Sequence, residues 1–584
     1  MDKEKYAKGI NMDRKPADIL MLIIFIAFIV AMGFCTSYGH KHGQIDKLLA
    51  PLDGDNNFCG ITKGYEKYDK LFITDFSFSE LSDIFDSAVC VKTCPTKTTT
   101  KIDGKTTTKV TDINTSTIIG NLYNTVDFMN YCLPASTDDL PSSFKTGYKL
   151  ALDSFKTSSI GSYFNDMYLA SKAIYASILM GLVYSIGYIY LMSAFAECIA
   201  WVCIGLTQVG LIAGAITCYM MRQTSIDSRS GLSTTDQASS AKSNAQYEGY
   251  LLAGCILLGI LACAFLTCVI CGYKSLKIAI DVIDASADFL AGTKRLLFVP
   301  LLYFLLTVIS FCLWVAAMAY VCSLNDISAD PLIPQAKSLT WKDNVVYMAL
   351  FMLFGILWIT AWFEYTSTFI VMTSASTYYF NSNPEKDGDA EVMVGFKFAY
   401  LYHAGSIAFG ALIIAIVRFI RIVFLYLAKK AEKASGGNMA VKIIVACGNC
   451  CLKCIEKICD YINKSAFAYM VISGDSFCMS AWNGFLLNVK HLLKFSFANY
   501  LAVVFTFLGK IAIVVVNCFS CYGIMKKITQ PDVSSYLGPI IIVGLITFMT
   551  ASVFLGLFDV SVIAILTCYA VDMDLNNGEA KFGP

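Results

Sequence analysis

Trp358, Trp362 and Tyr365 are spaced i, i+4, i+7, which puts three aromatic side chains on one face of a helix. The face of an aromatic ring attracts a cation through its quadrupole, worth about 0.5 to 2 kcal/mol per ring. This face is therefore a candidate site for a small cation, with Trp358 and Trp362 as its first members. Trp314, Tyr378, Tyr379, Tyr400 and Tyr402 lie in or beside apolar stretches that could neighbour it. Aromatics make up 13% of the chain, so an interfacial aromatic belt is the competing use of the same rings. Glu364, Lys510 and Asp559 form a second set, because each stands inside a long apolar run. A lone charge at that depth costs about 2.5 to 3.5 kcal/mol on an insertion scale, which makes an ionisable residue there a functional candidate. Glu364 adjoins the aromatic face, while Lys510 and Asp559 fall in the last two apolar blocks and are expected to pair.

The cysteines form two populations. Cys59, Cys90, Cys94 and Cys132 share one polar stretch and are expected to make two disulfides, with all three connectivities open. Asn114-Thr115-Ser116 in the same stretch is a glycosylation sequon, usable if the stretch faces an oxidising compartment. The second population is Cys447, Cys450, Cys451, Cys454 and Cys459, within CGNCCLKCIEKIC. Its C-x2-C steps would suit zinc, but no histidine is near and no second pair stands across a longer loop. Juxtamembrane acylation and a plain membrane-surface helix are the other readings. His40, His42, His403 and His491 are scattered, with no HExxH, no Gly-rich phosphate loop and no GxSxG, so catalysis, a cofactor and a metal are not expected.

Lipid sets the elements that must position these residues. The chain is 56% hydrophobic and 15% charged, against about 25% charged in a soluble domain. With a mean hydropathy of +0.59, a water-soluble fold is excluded. Lys and Arg number 45 against 44 Asp and Glu, so the basic excess that nucleic acid would need is missing. About 20 apolar residues in a helix span a hydrocarbon core of about 30 Å. The first such run goes from Ile19 to about Tyr38, behind Lys3, Lys5, Lys8, Arg14 and Lys15; it reads as a retained span with a cytoplasmic N-terminus. Blocks near 172–193, 196–221, 248–271, 296–322, 344–380, 397–428, 496–523 and 536–571 bring the total to nine.

The cations Arg418, Arg421, Lys429, Lys430, Lys433, Lys442, Lys453 and Lys457 assign that segment to the cytoplasm, which nine single crossings cannot satisfy. Dividing the 344–380 block restores parity. The expectation is an all-α polytopic membrane protein of about ten transmembrane helices, both termini inside, with one large disulfide-stapled extracellular loop. Its parts are a cytoplasmic N-terminus (1–18), a first span (19–38), the stapled loop (39–170), a helical bundle (171–428), a cytoplasmic cysteine-rich, amphipathic segment (429–495), the final spans (496–571) and a cytoplasmic tail (572–584). Thr96 to Thr117, interrupted by Lys97, Lys101, Lys105 and Lys109, reads as a solvated hairpin or mobile loop. Gly210 with Gly214, and Ser406 with Gly410, are small-xxx-small steps that let backbones approach.

Several motifs follow one another in a recognisable order: RKPADILMLIIFI, DGDNNFCG, VKTCP and CLP, then YLYHAGSIAFGALIIAIVRFIR, INKSAFAYMVISGDSFCMSA, FLGK and CYAVDMDLNNG. Their order and nearly full coverage resemble the choline transporter-like proteins, solute carrier family 44. The resemblance implies a ten-span carrier in the plasma membrane or an organelle membrane, with choline or a related quaternary or primary amine such as ethanolamine as substrate. The chain departs from the family pattern at Pro16 and Ala17, where a Cys-Thr pair is usual. It departs again at Ile563, where the last span usually has an acidic residue; Asp559 stands one turn earlier on the same helix face. A membrane scaffold or receptor working through its outer loop is the alternative class, and the intramembrane charges favour the carrier. A channel is a third class, but no repeated pore-lining motif is visible.

Overall fold

In lipid no water takes the backbone hydrogen bonds of a long apolar run, so each run closes its own as a helix. The structure, a computed structural model, describes residues 9–73, 88–95, 98–102, 105–109, 125–128, 130–134, 167, 170–230, 234–330, 336–383, 386, 388–434, 439–528 and 536–583. Among these, eight helices are long and apolar enough to cross a membrane. They include α1 (Ile19–His42), which is followed by the short α2 (Ile45–Leu49). The longest, α3 (Ser171–Ser230), has non-helical backbone at Phe195 and is two helices meeting at a bend. After it come α4 (Thr234–Cys271), the amphipathic α5 (Tyr273–Gly292), a 3-10 turn (Lys294–Leu297), α6 (Phe298–Cys322) and α7 (Asp343–Asn381). The short α8 (Val392–Lys397) and a π turn (Phe398–Tyr402) lead into α9 (Ala404–Ala434). The chain ends in α10 (Met439–Ser473), α11 (Phe477–Lys490), α12 (Leu492–Ile528) and α13 (Leu537–Leu575).

One expectation is corrected: the 344–380 block is not divided, since α7 is one helix throughout. α10 falls in the segment read from the sequence as cytoplasmic, 429–495, and it packs along the bundle. It runs antiparallel to α9: Gly448 faces the Phe424 ring, Asn449 bonds Arg421, Glu456 meets Arg418 and Arg421, and Asn463 reaches the Gly410 carbonyl. Its second half, Ala466 to Ile472, is fully enclosed. Glu456, Asp460 and Lys464 are answered by partners on the same or neighbouring helices, as charge inside a helical bundle requires.

Both termini close one end of the bundle. Asn11 N–H donates to the Ile472 carbonyl and Ala17 N–H to the Tyr402 carbonyl. In the tail, Phe582 stacks edge-on against Phe380, with centroids 5.5 Å apart. The stapled loop lies at the α1 C-terminal end. There β1 (Lys70–Ile73), β2 (Ala88–Val91), β5 (Thr125–Phe128) and β6 (Tyr131–Pro134) form a sheet in the order β2-β1-β6-β5. Disulfides Cys59–Cys90 and Cys94–Cys132 tie it together and select one of the open connectivities. The threonine-rich β3 (Thr98–Ile102) and β4 (Lys105–Lys109) pair as a hairpin. The hairpin β7 (Asp326–Ala329) with β8 (Lys337–Thr340) supplies Ile327 to a small core with Leu52 and Phe58. Asn114 lies outside the described residues.

Small residues act where helices touch. A Cβ at Gly39 would stand 2.8 Å from the Tyr320 carbonyl oxygen, so the end of α1 lies directly on α6. Gly410 is similarly pressed, its missing Cβ 2.6 Å from the Phe467 ring, whereas Gly210 faces open space and only Gly214 meets a neighbour, Leu258. The second small-xxx-small step is therefore a packing step and the first is only half of one.

Candidate functional site

A polar seam runs between α7, α9 and α10. Arg418 Nη1 and Nη2 both donate to Glu364 Oε2 at 3.1 Å, while its Nε reaches Glu456 Oε1 at 3.2 Å. Arg421 binds the other Glu456 oxygen at 2.6 Å and Asn449 at 3.2 Å. One turn along α10, Lys464 and Asp460 form an i, i+4 ion pair of 2.8 Å. Tyr365 donates to Asp460 at 3.0 Å and accepts from Asn463 at 3.1 Å. Charge buried in a bundle is tolerable only when answered in this way.

Beside the seam is a cavity of about 340 Å³. Tyr303, Phe304 and Thr307 of α6 form one wall, Glu364, Ser367 and Thr368 of α7 another, and Lys464 and Ser552 complete it from α10 and α13. It thus offers aromatic rings, hydroxyls, one carboxylate and one ammonium. Tyr303 is held in place by a 2.7 Å hydrogen bond to Tyr400 across the α6–π-turn contact.

The aromatic candidates divide according to what their faces touch. Trp358 is buried, its indole N–H donating to the Ala408 carbonyl at 3.0 Å and its ring 5.0 Å from Phe25 and 5.4 Å from Phe28. Trp314 likewise donates to the Met352 carbonyl at 2.9 Å. Both join helix to helix. Trp362 packs on Phe25, Phe363 and Tyr400, and its buried indole N–H has no hydrogen-bond partner among the described residues. Of the candidates read from the sequence, only Glu364 lines the cavity.

Lys510 and Asp559 do not form the direct pair expected of them. Asp559 Oδ1 accepts a 2.6 Å hydrogen bond from Thr506, one turn before Lys510 on α12. No ion pair of 4.0 Å or less joins Asp559 to Lys464 or to Lys510 among the described residues. Sequence reading missed Arg418, Glu456, Asp460, Asn463 and Lys464 as members of the site. The signal was present: Glu456, Asp460, Asn463 and Lys464 recur at helical spacing within one segment.

Below the seam, residues of the N-terminal segment close the bundle. The Arg14 guanidinium lies 3.8 Å from the centre of the Phe398 ring and 3.1 Å from His403 Nε2, and it also bonds the Val471 carbonyl. Asp18 Oδ2 accepts from Ser406 Oγ at 2.6 Å and from Phe477 N–H at 2.8 Å. One segment therefore ties α9, α10 and α11 together.

A family model described as plasma-membrane choline transporter matches residues 256–574, which include the seam, the cavity and Asp559. Choline transporter-like protein 2 of Dictyostelium discoideum is 24% identical over 98% of this chain and 94% of its own. Choline transporter-like protein 1 of Xenopus laevis is 23% identical over 96% of this chain and 90% of its own. Choline transporter-like protein 4 of Rattus norvegicus is 22% identical over 98% and 93%. Stapled outer loop, apolar passes and C-terminal motifs all agree with this match, and the chain belongs to the choline transporter-like family of integral membrane proteins.

Proposed function

We propose that this protein carries choline, and small related amines such as ethanolamine, across the plasma membrane, and that the cation halts in the cavity beside Glu364. The observation that carries this reading is the cavity itself: an open space of about 340 Å³ between helices that combines a carboxylate, aromatic rings and hydroxyls. A quaternary ammonium has no N–H to donate, so a carboxylate charge and the faces of rings such as Tyr303 and Phe304 are its natural partners. Thr307, Ser367 and Thr368 suit the substrate hydroxyl. Lys464, held by Asp460, sets the opposite wall and limits the net negative charge. The ion pairs joining α7, α9 and α10 are contacts that a moving bundle would exchange, which a passive anchor has no reason to build.

Uptake of radiolabelled choline into liposomes containing the purified protein tests the reading, with unlabelled ethanolamine as competitor. Saturable uptake above protein-free liposomes, with the apparent KM raised in Glu364→Gln, is the expected result. Uptake no greater than in protein-free liposomes would remove choline as substrate.

A further inference from the structure

At the end of the bundle that holds both termini, the 3-10 turn before α6 and the loop before α8 enclose a larger groove of about 1180 Å³. Four of its charges stand near helix starts, Lys294 and Arg295 on one side and Asp389 and Glu391 on the other, while a fifth, Asp288 within α5, accepts a hydrogen bond from Ser193. None of these four forms an ion pair of 4.0 Å or less among the described residues. Beyond them the lining is apolar, with Phe298, Leu301, Leu302 and Leu305 along one side of α6 and Val392 and Phe396 on α8. Phe298 is 71% exposed, so the groove opens toward the membrane rather than into the core.

Length and charge together identify an occupant. From Lys294 to Leu305 the chain rises about 16 Å at about 1.5 Å per residue, which matches one leaflet's share of a hydrocarbon core about 30 Å thick. Basic pockets at helix ends hold lipid phosphates. A purely anionic headgroup would also meet Asp389 and Glu391, and like charges brought together disfavour it. A headgroup carrying both signs satisfies all four residues.

We propose that the groove holds one zwitterionic phospholipid. Its phosphate lies by Lys294 and Arg295, its ammonium faces Asp389 and Glu391, and one acyl chain follows Phe298 to Leu305. The site is separate from the Glu364 cavity, and no residue lines both.

The test uses the full chain, extracted in mild detergent from vesicles with equal phosphatidylcholine and phosphatidylglycerol, with native mass spectrometry counting retained lipid. The protein is expected to retain one phosphatidylcholine, with a preference of about 10-fold or more over phosphatidylglycerol. Lys294→Gln with Arg295→Gln should lose that lipid. Asp389→Asn with Glu391→Gln should keep a lipid but shift the choice toward phosphatidylglycerol. Leu302→Trp, which narrows the apolar track without touching a charge, should lose it as well. The proposal fails if the Lys294/Arg295 variant retains as much lipid as the unaltered chain, or if the unaltered chain keeps both lipids equally. It also fails if glycerophosphocholine, which has the headgroup and no chains, displaces the bound molecule. Choline uptake is not part of the readout, so the result is independent of the transport proposal.

Discussion

Glu364 on α7 and Arg418 on α9 are joined through both terminal guanidinium nitrogens, each 3.1 Å from the same carboxylate oxygen. The guanidinium also reaches Glu456, so one arginine stands between carboxylates of two different helices. Glu364 faces the cavity, and its charge serves the helix contact and the space beside it together.

Glu364→Gln should therefore raise the apparent KM for choline about 10-fold or more, the equivalent of about 1.4 kcal/mol of lost cation attraction, with folded yield largely kept. Arg418→Met should lower folded yield instead, because it leaves Glu364 without its cation and Glu456 with Arg421 alone. Concentration-dependent uptake and size-exclusion yield, measured in parallel, separate the two. An unchanged KM in Glu364→Gln would move the substrate elsewhere.

Asp559 should couple more strongly to Lys464 than to Lys510. Double-mutant cycles on thermal stability, pairing Asp559→Asn with Lys464→Gln or with Lys510→Gln, measure this directly. A coupling of about 0.5 to 3 kcal/mol is expected for the first pair and a smaller one for the second. The reverse order would show that α12 rather than α10 answers the carboxylate.

Trp358→Ala should act on stability. Losing a buried indole costs about 3 to 5 kcal/mol in a packed core. Trp358→Phe keeps most of the ring and gives up the hydrogen bond to the Ala408 carbonyl, about 0.5 to 1.5 kcal/mol. Thermal unfolding in detergent checks both values. A large rise in KM at unchanged stability would return Trp358 to a cation site.

Non-reducing peptide mapping should recover Cys59 with Cys90 and Cys94 with Cys132, and no crossed pair. Closing loops of 31 and 38 residues should contribute about 3 to 4 kcal/mol each to the outer sheet. In Cys94→Ser, Cys132 should become open to alkylation while Cys59 and Cys90 stay protected. A free thiol at Cys90 in that variant would contradict the pairing.

The passes that sequence reading found are those that lipid alone enforces, where about 20 apolar residues leave no other solution. How α10 packs was not legible, because its fitness for the bundle lies in its partners: Glu456 looks like a surface charge until Arg418 and Arg421, 38 and 35 residues earlier, are seen against it. Trp358 and Trp362 were legible as a shared face, but not which surface that face meets; α1 brings Phe25 and Phe28 to it from more than three hundred residues away in the sequence. The even set of outer cysteines announced two bridges, while their pairing waited on the sheet, in which β1 separates Cys90 on β2 from Cys132 on β6. Asp559 takes a hydrogen bond from Thr506, a hydroxyl partner that a search for opposite charges does not look for.

Arg14 and His403 are 389 residues apart in sequence. During synthesis the segment around Arg14 and Asp18 is made long before α9, α10 and α11, and α1 is already in the bilayer while that segment's partners have yet to be translated. Its guanidinium and carboxylate therefore stay in water until the last third of the chain arrives, and their docking registers that α9 and α10 have been delivered in the right order. A bulky fusion placed immediately before Gly9, whose backbone lies against the Phe380 ring, would block that final closure even if every helix had been inserted correctly.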